Sequence, residues 1–585
     1  MNALQTEQVV YHVFGFLDMT IAQKAILCQV KQWQQFFTKS KFLNLVYCLF
    51  NISGRSFYEM DQDLDPKILS RLSNVTYLAN LQIPYNCSNT NYLKPISSLT
   101  NLTKLVYFTN IDITNDNLST LIKLRSLTLT SSMGHMYSIN DNVFSNLTNL
   151  TCLELSGHNL LDLNCIAFHT QLINLKLSYG TKITNMQSLT NLENLTHFSC
   201  SGYECITQFD LQFLPYLTNL QSLTLDNCKN IQHYESLGIE KLTNLKCLQL
   251  SNTKKCLHVN FLSHLHLIKL DLSGCKNLEN IDVLHGLRSL VDINVSNCPK
   301  LKNIPLMENI TSINLAHSNQ IIDSSLESLM NSPKLTCLHL QGCDLLIGSG
   351  LQYVCSTLQT LTLRSENNLF FLDYLPKGLQ KLDIYTPEFF NVSKHLSILE
   401  LTQLTYIKIS STNFDPLFNL QTLVNLIHLD IECSSVTDDI FDGIENLLQL
   451  RYLTLDSDLI TNKGINKITN PNLEKLVFYG DIDMSGCNFD ALQNLKEMSI
   501  INGINMTDTE LMSIAKLSLL EELSIPDTNN ITEQGLSHLS NSKNLKSLVY
   551  GNASEPEDSL YFPQTEIYKY LTRLFPSNVQ ISKYY

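Results

Sequence analysis

An α/β solenoid is the fold class that this 585-residue sequence predicts, and three observations predict it. A six-residue pattern, apolar-x-x-apolar-x-apolar, starts 21 times between Leu78 and Leu545. The starts lie about 23 residues apart on average, a period at which stacked strand-and-return units are built. Composition agrees: 104 leucines make up about 18% of the chain, while only 16% of residues are charged. So much apolar surface offsets chain entropy and excludes a disordered linker.

The copies run Leu78-Leu81-Ile83, Leu102-Leu105-Tyr107, Leu124-Leu127-Leu129, Leu150-Leu153-Leu155 and onward to the start at Leu545. Side chains alternate along a strand, so in x-Leu-x-Leu-x the leucines point inward and the residues between them face solvent. One unit cannot bury its own apolar edge, whereas a stack of units can. The ninth position often holds Asn or Cys: Asn86, Asn110, Cys228, Cys275, Cys298 and Cys343. A small polar or sulfur side chain there satisfies turn backbone inside the stack. Return segments beginning at Thr437, Thr507 and Thr532 carry helix-start chemistry, and Thr507 with Glu510 has the spacing of a capping box. The stretch Ile281–Leu287 has room for only a turn or a short helix.

At this density of matches the chain resembles the leucine-rich repeat superfamily, in a mixture of cysteine-containing and short subtypes. That resemblance implies a horseshoe with a parallel β-sheet on its concave face and helices or turns on its convex face. The expected organisation is a helical module at 1–50, a connecting segment at 51–77, repeats at 78–554 and a C-terminal cap at 555–585. Within that cap, Val579 and Ile581 suit a last strand.

Residues 1–50 lack the repeat period. Val9, Val10, Val13, Phe14, Phe16 and Leu17 form a helix-like stripe, continued by Ile21, Ala25, Ile26, Val30 and Trp33. Leu4 and Glu7, Val13-Phe14-Gly15-Phe16-Leu17-Asp18 and Val30-Lys31-Gln32-Trp33 resemble an F-box, although Gln5 stands where that family carries proline. The resemblance implies docking to a Skp-type adaptor of a cullin–RING ubiquitin ligase through Leu4, Val13, Phe14, Phe16, Leu17 and Trp33. The repeats would then hold the substrate protein, and catalysis would be proximity alone. The alternative for these helices is a cap over the first repeat of a non-enzymatic scaffold, inhibitor or microbial effector.

Concave positions are mostly small in the first two-thirds: Ser156, Ser178, Ser201, Ser251, Ser273 and Ser296. In the last third they change to Asp383, Tyr385, Tyr406, Lys408, His428, Asp430, Glu432, Tyr452, Asp456 and Tyr479. Tyrosine supplies large contact area at little rotamer entropy, so this stripe is the expected protein-binding surface, and its carboxylates favour a basic partner.

No nucleotide-binding, zinc-protease or hydrolase motif is present, so neither an enzyme nor a cofactor or metal site is expected. His264 and His266 flank an inward Leu265 and read as a surface pair. Net charge is −14 with no extended basic stripe, so neither nucleic acid nor a membrane surface is an expected partner. The 17 cysteines form no CxxC pair and the first ten residues carry no basic leader, which favours free thiols in the cytoplasm, with the nucleus as the alternative. Triplets such as Asn146-Leu147-Thr148 and Asn294-Val295-Ser296 are by-products of composition on this reading.

Overall fold

The structure is a computed structural model that describes residues 77–81 and 97–583, apart from 98, 110–114, 132–141, 158–159, 181, 204–205, 254, 366–373, 387–395, 413–419, 527–529, 552–569, 572 and 576–578. The chain divides into two compact units, with the boundary in sequence between Leu278 and Glu279.

In the first unit a parallel ladder runs from strand Tyr77–Leu81 through Lys104–Thr109, Ser126–Ser131, Cys152–Ser156, Asn174–Ser178, His197–Ser201, Ser222–Thr224 and Cys247–Gln249 to Lys269–Asp271. In the second, the ladder runs from Asp292–Asn294 to Gln580–Lys583, each strand parallel to the next. Every start of the pattern from Leu102 to Leu545 is buried. This is a leucine-rich repeat solenoid, with the core lying between the sheet and its return segments.

Register is exact in most pairs because the motif repeats: Leu127 stands opposite Leu105, and Leu453 opposite Leu429. The first copy is the exception. Leu78 stands opposite Leu105, the second apolar position of its neighbour, so this copy is three residues out of the phase that its leucines suggest. The register then shifts between Leu78 and Leu81, which brings Leu81 opposite Tyr107. At the other end, Ile581 pairs with Leu548, as the apolar spacing of the C-terminus predicts.

Return segments are mostly short 3₁₀ turns, including Asp282–Gly286, with α-turns at Asn462–Ile465, Asp508–Ile514 and Glu533–His538. Thr507 caps Asp508–Ile514 and Glu510 returns the capping box. The ninth-position cysteines are buried and donate to backbone: Cys228 Sγ to Cys200 O at 3.3 Å, Cys275 Sγ to Leu250 O at 3.3 Å, and Cys343 Sγ to Leu315 O at 3.1 Å. Burial pushes the Cys343 thiol up to about 12, so it remains a proton donor at neutral pH.

A second ladder is built by the asparagine just before the first leucine. Asn149, Asn194, Asn219, Asn244, Asn309, Asn425, Asn472, Asn494 and Asn544 each donate Nδ2 to a carbonyl of the preceding repeat, at 2.7–2.9 Å. These bonds satisfy carbonyls that the return segment leaves without a partner. Between return segments a third device appears. Asp438 accepts from Thr461 N at 2.8 Å and from Thr461 Oγ1 at 2.5 Å. Asp508 treats Thr532 in the same way, at 2.8 and 2.5 Å. Asp323 accepts from Ile347 N at 2.9 Å and Gly350 N at 2.5 Å. One repeat's first-turn carboxylate thus closes the open N–H groups that begin the next return segment.

Candidate functional site

In the second unit, strands Thr360–Arg364, Lys381–Thr386, Tyr406–Ser411, His428–Glu432, Tyr452–Asp456 and Lys475–Tyr479 lie side by side. Their buried leucines and isoleucines fix which side chains face outward, and in-register pairing sorts those side chains into columns. The first column reads Lys381, Tyr406, His428, Tyr452, Lys475. The second reads Thr362, Asp383, Lys408, Asp430, Thr454. Arg364, Tyr385, Ser410, Glu432, Asp456 and Tyr479 form the third.

Parallel pairing therefore brings together ten residues that the sequence scatters over 383–479. The His428 ring lies between two tyrosines, 4.6 Å from Tyr406 and 5.6 Å from Tyr452 between centroids, with tilts of 31° and 32°. Burial, opposed by Asp430 and reinforced by Lys408 and Lys475, lowers the His428 pKa. The ring is thus mostly neutral at pH 7 and packs as an aromatic plate.

Beside this stack the charges are largely paired. Arg364 grips Asp383 with both Nε and Nη2, at 3.1 and 2.9 Å. Lys408 Nζ donates to Asp430 Oδ2 at 2.9 Å and also to Glu432, which accepts from Ser410 Oγ at 2.7 Å. Burial alone would lower Lys408, but its hydrogen bonds to Glu432 and Asp430 outweigh it and hold the ammonium above its usual range. Burial likewise works against the Glu432 charge, and the bonds from Lys408 and Ser410 overcome it. The sequence shows a stripe of bare carboxylates; the fold pairs three of the four with two cations, Arg364 and Lys408, 19 to 24 residues away.

Two acceptors lack a partner. Asp430 Oδ1 is buried and has no hydrogen-bond partner among the described residues. The Asp456 carboxylate makes no hydrogen bond or ion pair among them, and its pKa is raised, first by burial and then by Asp458, Glu432 and Asp430. Like-charged neighbours favour an added cation beside Asp456. Tyr479 is exposed, Tyr385 half-buried, and both lie in the third column with Asp456.

The serine stripe fares differently. Ser156, Ser178 and Ser296 are buried, while Ser201, Ser251 and Ser273 are half-buried. A residue at positive φ follows every one of the six, at Gly157, Tyr179, Gly202, Asn252, Gly274 and Asn297, so the chain turns immediately after each serine. His264 and His266 are exposed on either side of buried Leu265. Among the described residues no cluster of three metal-binding side chains occurs, and no helix is long and apolar enough to cross a membrane. Leu4, Val13, Phe14, Phe16, Leu17 and Trp33, the F-box-like positions, lie outside the described residues.

No protein-family model matches the sequence, and no curated protein matches it. Solved structures similar to this chain include the TLR13–ssRNA13 complex, 18% identical over 89% of this chain and 90% of that one, with a TM-score of 0.49. A leucine-rich repeat protein of Leptospira interrogans is 19% identical over 86% of this chain and 100% of its own, with a TM-score of 0.37. An internalin of Listeria monocytogenes is 16% identical over 76% and 90%, with a TM-score of 0.26. At such identities and scores, what those proteins bind carries nothing over to this one.

Proposed function

We propose that this chain is a non-enzymatic binding protein whose outward sheet face between Lys381 and Tyr479 grips a protein partner. The single observation behind this reading is the Tyr406–His428–Tyr452 stack beside the unpaired Asp456 carboxylate. Such a surface offers rigid aromatic area for a partner's apolar or guanidinium-bearing side chain, with Asp456 to receive its charge. A segment carrying an arginine or lysine fits both halves.

The finer reading is that the partner is a substrate and the chain a receptor subunit of an SCF-type cullin–RING ligase. Its support is the F-box-like sequence at Leu4–Trp33, and the ligase would act by holding substrate lysines near a charged conjugating enzyme.

Two experiments separate the levels. A partner is first identified by affinity capture and mass spectrometry and its binding then measured with purified components. The Tyr406→Ala/Tyr452→Ala chain should bind it at least tenfold more weakly while its melting temperature barely moves, because truncating aromatic anchors at a binding face commonly costs about 2 kcal/mol or more. Equal binding returns the stack to an ordinary solvated face. Separately, the full chain should co-purify with a Skp-type adaptor and the Phe14→Ala/Trp33→Ala chain should not. If neither retains the adaptor, the ligase assignment fails and the binding scaffold stands.

A further inference from the structure

Away from that stack, the strand Cys337–His339 carries a thiol and an imidazole on its outward side, with buried Leu338 between them. Cys337 Sγ lies 3.2 Å from His339 Nε2, and His339 Nδ1 lies 3.0 Å from Thr362 Oγ1 on the next repeat. Both members of the pair are half-buried and therefore reachable. We propose that Cys337 is a nucleophilic thiol served by His339 as base, with Thr362 as positioning residue, and that it takes soft carbon electrophiles such as haloacetamides and α,β-unsaturated carbonyls.

The geometry is that of an activated nucleophile: a base within hydrogen-bonding reach, itself oriented by a third group. With its proton on Nδ1 and donated to Thr362 Oγ1, the imidazole leaves Nε2 free to accept the thiol proton. The surroundings keep both partners uncharged. Burial pushes Cys337 up, against a hydrogen bond with Ser312 and the charge of Lys381 and together with Asp292. Burial pushes His339 down, opposed by Asp383. At neutral pH the resting state is a thiol facing a neutral ring, so proton transfer accompanies attack. With iodoacetamide, sulfur bonds to the methylene carbon and the carbon–iodine bond breaks. Iodide leaves with the electron pair, and the thiol proton passes to Nε2 and on to water.

The chain supplies its own controls. Cys152 and Cys247 occupy the same first strand position and are also half-buried, but the residues two further on are Glu154 and Gln249. Cys228, Cys275, Cys298 and Cys343 are fully buried.

The test is site-resolved alkylation of the full native chain with iodoacetamide between about pH 6.5 and 8, read by peptide mass spectrometry. Cys337 should react about tenfold faster than Cys152 or Cys247 at pH 7, a modest return for a positioned base. Its rate should stay nearly flat across the range, whereas a thiol that reacts only through its free thiolate gains up to about tenfold per pH unit. His339→Gln should bring Cys337 to the controls' rate and slope without altering Cys152 or Cys247, and Thr362→Val should fall between. A Cys337 rate at or below the controls, or one that climbs with pH as theirs does, overturns the proposal. The slope is read on the unaltered chain and decides the matter even where a variant folds poorly.

Discussion

Asp456 illustrates how a residue can oppose the fold while equipping its surface. Its raised pKa means the charged form is disfavoured in the folded chain relative to the unfolded one. The sign follows directly: ionised Asp456 subtracts stability at neutral pH, and this penalty fades as pH falls through the raised folded-state value. Asp456→Asn should therefore leave the melting temperature at pH 7 unchanged or slightly higher, yet weaken a cationic partner, as thermal melts and a binding titration on the same samples would reveal. Partner affinity in the unaltered chain should also drop as the pH is lowered through that value. None of this is legible from the sequence, where Asp383, Asp430, Glu432 and Asp456 look alike; only pairing across repeats separates the three ion-paired acids from the unpaired one. The Cys337–His339 pair escapes the sequence for another reason. Cys-x-His is a signal only on a strand whose outward side is known, and its third member, Thr362, is contributed by the next repeat.

At the scale of elements, the strands are legible almost completely and the devices between repeats much less so. Leucine spacing places each strand of the two long ladders from Lys104–Thr109 to Ser547–Tyr550, and the Thr507–Glu510 spacing predicts its cap correctly. Asparagine ahead of the first leucine carries no period-specific meaning until its amide is seen reaching a carbonyl one repeat back. The aspartate clamps are equally hidden, although the glycines beside them hint at close approach. A Cβ added to Gly350 would lie 2.5 Å from Asp323 O and 2.8 Å from its Cα. Alanine ordinarily strengthens a helical turn by up to about 1 kcal/mol relative to glycine. Here backbone stands in the way, and overpacking of this kind costs about 2 kcal/mol. Gly350→Ala should accordingly lower the melting temperature rather than raise it, measured by circular dichroism. A neutral or stabilising outcome would mean that the Asp323 clamp yields easily.

For the molecule as a whole, each repeat depends on its two neighbours and little else, as stacking in one dimension requires. Removing one period inside the second unit is therefore expected to spare the fold. Excision of residues 426–449 joins Asn425 to Leu450, preserving the asparagine–leucine step and the inward leucines on both sides. The shortened chain should retain its circular-dichroism signature, yet lose His428 together with the acids that hold Lys408, and with them partner binding. The in-register columns make this separation general. Inward positions are nearly interchangeable from copy to copy, whereas each outward row is particular to its place. Unequal crossing-over between copies would thus reshuffle what the surface recognises in whole blocks and leave the scaffold intact, so that specificity and foldability are inherited along separate axes.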